Sequence, residues 1–156
     1  MAVYFFDSSA IVKNYISEVG STWLRGIINA VPSHELYISR LANVEVIAAI
    51  TRRARGGSVT AIDATNFVAQ FKQHLVTDFR VLEVSLPLIL QAVALTENHG
   101  LRGYDALQLA SALTINHRLL SLGLTTLSFT FVSADDELNS AAQTEGLVVD
   151  NPNSHP

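Results

Sequence analysis

Four acidic side chains stand where an unpaired charge is costly to bury. Asp7 follows the apolar run Val3-Tyr4-Phe5-Phe6 without a break, and Asp135-Asp136 follow the run Phe129-Thr130-Phe131-Val132-Ser133-Ala134. Glu45 lies inside LANVEVIAAI, where helical spacing puts Leu41, Ala48 and Ala49 on its face. Asp105 opens GYDALQLASAL, with Leu101, Leu109 and Ala112 around it. Neither Glu45 nor Asp105 has a basic residue four positions away to pair with. Each acid has an ordinary explanation. Asp7 could cap a helix. Asp105, and Asp135 or Asp136, could favour the positive end of a helix dipole, and Glu45 could meet Arg40 or Arg102. One shared cation accounts for all of them together. Clustered carboxylates raise one another's pKa values, and a divalent ion relieves the repulsion. With oxygen ligands only, that ion would be Mg²⁺ or Mn²⁺. Such an ion orients a water and neutralises phosphodiester charge, so an acidic cleft can cut an anionic polymer.

The elements that must position these acids alternate along the chain. Strands are expected over 3–6, 36–38, 81–84 and 127–132, with a minor one over 147–149. Helices are expected over 9–17, 20–30, 41–55, 60–76, 85–99, 104–117 and 136–145. The helix boundaries rest on the turn at Pro32-Ser33, the stop at Gly56-Gly57, the Thr60-x-x-Asp63 box, the Ser85 cap with Pro87 behind it, and Gly100. Short strands alternating with helices imply a three-layer α/β/α fold around a parallel sheet of four to five strands. Ligands of such sheets bind beyond the carboxyl ends of the strands, where Asp7 and Asp135 would both lie. Residues 1–150 read as a single domain. Residues 151–156 read as a polar, disordered tail.

Composition narrows the classes. The chain has 156 residues, is 49% hydrophobic and only 15% charged, and has a net charge of −4. That excludes a generally basic nucleic-acid coat, though not a local basic rim. Absence of cysteine removes disulfides, zinc thiolates and thiol nucleophiles. The five histidines show no ligand-like spacing. The longest apolar stretch, around Leu86 to Leu95, is far short of the ~20 residues that span a bilayer. The N-terminus lacks a signal-peptide pattern. A soluble, cytoplasmic protein is expected.

Four segments together resemble the PIN domain, and more narrowly the VapC-type toxin ribonucleases. These are DSSAIVKNY after an apolar strand, ISRLANVEVIAAITRRA, LRGYDALQLASAL and FVSADDELNSAA, in that order over residues 3 to 150. The resemblance implies a metal-dependent endoribonuclease that hydrolyses RNA with water. It also implies a small antitoxin partner and a homodimer. Carried over residue by residue, the metal-binding and catalytic acids are Asp7, Glu45, Asp105 and Asp135, with Asp136 as an alternative to Asp135. Ser9 would hold Asp7 or a water at the metal, and Ser133 would serve Asp135. Gln108 stands where many relatives carry His.

Other residues divide between packing and function. Arg52, Arg53 and Arg55 complement a helix dipole or contact phosphate or an acidic partner segment. Lys13 is a solvated helix residue or a phosphate-facing charge. Tyr104 packs or stacks a base. Phe67, Phe71 and Leu75 suit a core or a dimer face, and Trp23 suits packing. Two rival functions stay open. One is a binding module on the same fold, with structural acids. The other is a phosphatase or receiver using Asp7, which the lack of a second Asp two residues on and of a late-strand Lys argues against.

Overall fold

The unbroken apolar run at the N-terminus forms the central strand of the sheet. The computed structural model describes residues 1–30, 33–124 and 127–156. Strand β1 (Ala2–Phe6) leads into helices α1 (Ser8–Tyr15) and α2 (Ser21–Ile28). Then come β2 (His34–Ser39), α3 (Ala42–Arg55), α4 (Ala61–Thr77) and β3 (Phe79–Leu82). The α5 (Leu86–His99) and α6 (Gly103–Ser121) hairpin precedes β4 (Ser128–Val132), α7 (Asp136–Thr144) and β5 (Val149–Asp150). All strand pairs are parallel, in the order β3-β2-β1-β4-β5. The chain winds outward from β1 to β2 and β3, then crosses to β4 and β5. The switch point therefore lies between β1 and β4, where sheets of this kind open a crevice.

The lack of polar alternation in β1 has the expected cause: both faces are covered. Val3 and Phe5 face a layer containing Leu88, Leu109, Leu113, Phe131 and Leu138. Phe6 faces the other, with Ile11, Leu24, Ile38, Val46, Phe71 and Val132. Phe5, Phe6 and Phe131 are fully buried, each contributing about 1.5–3 kcal/mol of apolar burial. They lie in the last two positions of β1 and the penultimate position of β4, so the acidic loops that follow are anchored in buried core. Helix α6 is buried on nearly every side, as its sequence implied. Ser85 caps α5, and Gly100 ends it at φ 68°, a left-handed turn that glycine adopts without strain. Of the Pro32-Ser33 turn, Pro32 lies outside the described residues.

Several expectations need correction. The third strand is Phe79–Leu82 rather than 81–84, because Phe79 is buried and pairs with Leu36 while Glu83 and Val84 lead to the Ser85 cap. The fifth strand is Val149–Asp150, since Leu147 turns into the core. Lys13 is neither solvated nor phosphate-facing. It is buried, and its Nζ donates to Glu18 Oε2 and the Val19 carbonyl, both at 3.1 Å. Arg53 pairs with the same Glu18.

Residues 151–156 do not extend from the domain as a loose tail. A short 3-10 helix, Pro152–Ser154, lays Pro152 against Gly20, where any Cβ would stand 2.1 Å from the Pro152 carbonyl oxygen. Gly20 also has φ 84°, so both space and conformation require glycine there. His155 stacks on Trp23 with centroids 4.2 Å apart and planes within 3°, and its Nε2 lies 2.7 Å from Asp150 Oδ1. The segment's polar composition concealed these contacts, because its anchors lie far back in the chain.

Candidate functional site

Four helices begin at the carboxyl edge of the sheet, and each brings one acid. Asp7 is the N-cap of α1 and Asp135 the N-cap of α7. Glu45 and Asp105 lie in the first turns of α3 and α6. The sequence reads Glu45 as a residue inside its helix; α3 begins at Ala42, one residue later than expected, and Glu45 lies in its first turn. The capping explanation for Asp7 is therefore correct as far as it goes, and Asp135, expected only as an acid favouring the helix dipole, is an N-cap as well. These positions also explain how the chain tolerates so much negative charge. Every one of the four acids sits at the positive end of a helix dipole.

Asp7 is the most constrained. The register puts Phe6 beside Val132, and the Asp7 amide donates to the Val132 carbonyl at 3.1 Å. Asp7 Oδ1 accepts from Ser9 Oγ at 2.7 Å and from the Ala10 amide at 3.0 Å, and Oδ2 accepts from Ser133 Oγ at 3.0 Å. Ser133 Oγ in turn accepts from the Asp135 amide at 3.1 Å, and Ser9 Oγ accepts from the Ala134 amide at 2.9 Å. The two serines thus lock the Asp7 loop to the Asp135 loop. Burial pushes the Asp7 carboxyl up to about 7. The Ser9, Ala10 and Ser133 donors work against that shift, and the Glu45 charge adds to it.

The other acids are half-buried around it. Glu45 Oε2 accepts from Ser8 Oγ at 2.5 Å and Gln108 Nε2 at 2.6 Å. The Asp105 carboxyl is also raised, first by burial and then by the charges of Asp135 and Glu45; Arg102 offsets part of this. Asp135 Oδ1 accepts from the Leu138 amide at 2.9 Å. Asp136 is drawn the other way, accepting from Asn151 Nδ2 at 2.9 Å. Of the adjacent pair, Asp135 is the one whose charge acts on Asp105.

The expected ion pairs of Glu45 do not form: Arg40 pairs with Glu83. Among the described residues, no salt bridge neutralises Asp7, Glu45, Asp105 or Asp135. An all-oxygen donor set with uncompensated negative charge fits a hard divalent cation in kind. It is not drawn in as a finished cage. Among the described residues, no three His, Asp or Glu side chains converge as a ligand cluster. Asp7, Glu45 and Asp135 have oxygens held by serine, amide and backbone donors, and Asp105 joins them through the charges of Asp135 and Glu45.

Sequence reasoning missed Ser8 and the donor role of Gln108. Their partner Glu45 is 37 and 63 residues away, and no local spacing signals such contacts. It also missed Asn139, whose Nδ2 donates to the Ser133 carbonyl at 2.8 Å, and Glu137, whose charge reaches Asp105. Tyr104 is exposed beside Asp105, Phe71 is core, and Trp23 is the stacking partner of His155.

The model of the PIN domain family matches residues 4–142. Over 115 residues the chain is 31% identical to Ribonuclease VapC49 of Mycobacterium tuberculosis, spanning 74% of this chain and 78% of that protein. VapC20 of Mycobacterium tuberculosis, a Sarcin-Ricin loop cleaving toxin, superposes with a TM-score of 0.63 at 17% identity, covering 98% and 99% of the two chains. VapBC2 from Rickettsia felis, solved bound to a DNA fragment from its promoter, gives 0.62 at 13% identity, covering 96% and 98%. At these identities the structural likeness speaks to the fold. Among the described residues, no helix is long and apolar enough to cross a membrane.

Proposed function

The chain belongs to the PIN domain family and to its VapC-type ribonucleases, and on that premise we propose that it is a Mg²⁺- or Mn²⁺-dependent endoribonuclease, the toxin of a toxin–antitoxin pair. The observation that supports this most is the gathering of Asp7, Glu45, Asp105 and Asp135 at four helix starts, with no salt bridge to any of them among the described residues. In this reading those four acids would hold the ion, which when bound would supply an activated water and neutralise charge on the scissile phosphate. Ser9 and Ser133 keep Asp7 and the Asp135 loop in register. Tyr104 and Arg102, exposed beside Asp105, form a rim where a base of an RNA strand would stack on Tyr104 and Arg102 would neutralise phosphate charge.

The antitoxin proposal draws support from the surface of α3. There Val44, Ile47 and Ala48 adjoin Arg52 and Arg55, apolar contact beside positive charge. Homodimerisation draws support from α5, which leaves Leu86, Leu90 and Val93 exposed. The test of function is cleavage of RNA by purified protein with Mg²⁺ or Mn²⁺, stopped by chelator and by Asp7→Asn or Asp105→Asn. The rival reading, a binding module with structural acids, takes its support from the capping roles of Asp7 and Asp135. It expects no cleavage and no heat of Mg²⁺ binding.

A further inference from the structure

Glu45 is held by one oxygen. Ser8 Oγ and Gln108 Nε2 both donate to Oε2, and Gln108 Nε2 also donates to Ser8 Oγ at 2.9 Å. The three side chains close a triangle joining α1, α3 and α6. Gln108 is 1% exposed, and its Oε1 is buried without a partner among the described residues. The orientation of its amide follows from the neighbour it meets. Turned over, it would aim a carbonyl at a carboxylate, whereas this way both N–H donors are used. A buried acceptor left unpaired is a cost to the fold, and leucine at this position would avoid it. The cost of that acceptor is set against the two hydrogen bonds its amide makes, so what singles out the glutamine is what it does to Glu45. Its amide donates to Glu45 Oε2 and to Ser8 Oγ, which itself donates to Oε2, while Glu45 Oε1 accepts no hydrogen bond among the described residues.

We infer that Gln108, together with Ser8, is a positioning residue that pins Glu45 Oε2 so that Oε1 is the oxygen offered to a divalent cation. The inference rests on the reading of the four acids as a cation site. Partners of this kind orient ligands and tune affinity without touching the ion, and losing one typically costs ~10–100-fold in metal affinity.

The test is a Mg²⁺ titration of the full chain, read by calorimetry and by the unfolding temperature. It compares wild type with Gln108→Leu, Gln108→His and Ser8→Ala. Gln108→Leu is expected to keep the metal-free unfolding temperature and to raise the Mg²⁺ midpoint about tenfold or more. Gln108→His, which retains a ring N–H for Glu45, is expected to recover most of that loss. Ser8→Ala, at the start of α1, is expected to raise the midpoint several-fold, and it decides the matter if the leucine variant fails to fold. A wild-type midpoint in Gln108→Leu or Ser8→Ala overturns the positioning role and leaves the cation site standing. Absence of any Mg²⁺ response in wild type overturns the cation site itself, and this inference with it.

Discussion

Asp7 makes the metal-free protein less stable as pH rises through neutrality. Its folded-state carboxyl titrates near 7, against an ordinary 3.8, because burial disfavours the charged form more than its donors favour it. The folded state therefore holds this proton where the unfolded chain has lost it. By linkage, the stabilisation is fully present below about pH 4 and is lost as pH climbs to about 7. Some three pH units at 1.36 kcal/mol each amount to about 4 kcal/mol. Asn at this position keeps the acceptor facing Ser9 and Ala10, and its amide can donate to Ser133 Oγ, but it carries no charge. Asp7→Asn at pH 8 with chelator present is thus expected to be more stable than wild type by up to about 4 kcal/mol, or about 10 °C in Tm. Near pH 4 the two proteins should converge. The assay is thermal and urea unfolding by circular dichroism from pH 4 to 8, reading the difference between the two proteins so that other carboxylates cancel. A difference that does not change with pH, or a wild type that gains on the variant as pH rises, would refute the reasoning.

Three further outcomes are expected. Asp105→Asn should leave metal-free stability at pH 8 unchanged or raise it, since burial and the Asp135 and Glu45 charges all oppose ionisation there; a loss above ~1 kcal/mol in urea unfolding would assign Asp105 a capping or pairing role instead. Trp23 is the only tryptophan, so its emission reports the C-terminal segment directly: His155→Ala should change the spectrum and cost about 1 kcal/mol, and an unchanged spectrum would mean that the stack does not form in solution. Gly20→Ala should destabilise by more than ~2 kcal/mol, because a left-handed φ and the Pro152 backbone both exclude a Cβ; a near-neutral melt would argue against the packed position of Pro152.

The parts of the fold legible in the sequence are those with local causes. The apolar run of β1, the Ser85 cap, Gly100 and the all-round apolar face of α6 each follow from neighbours a few residues away, and together they give a doubly covered parallel sheet. Asp7 and Asp135 could be placed at one edge because strand ends in a parallel sheet point the same way. What stayed hidden depends on distant partners. Nothing in DSS distinguishes Ser8, which serves Glu45, from Ser9, which serves Asp7. Lys13 reads as a surface charge until Glu18 folds back over it. The six C-terminal residues read as disordered because Gly20 and Trp23, which receive them, lie some 130 residues earlier. The different surroundings of Asp135 and Asp136 were hidden too, because Asp136 meets Asn151, a residue that follows β5.

The claim on which the account depends is that four carboxylates gathered at four helix starts share one hard cation. Crystals of the wild-type protein grown with Mn²⁺ and measured for anomalous scattering test it most directly. The account predicts a Mn²⁺ ion with oxygens of Asp7, Glu45, Asp105 and Asp135 drawn in around it, and Glu45 Oε1 rather than Oε2 toward the metal. An empty cleft at millimolar Mn²⁺, with RNA cleavage persisting in chelator, would contradict it.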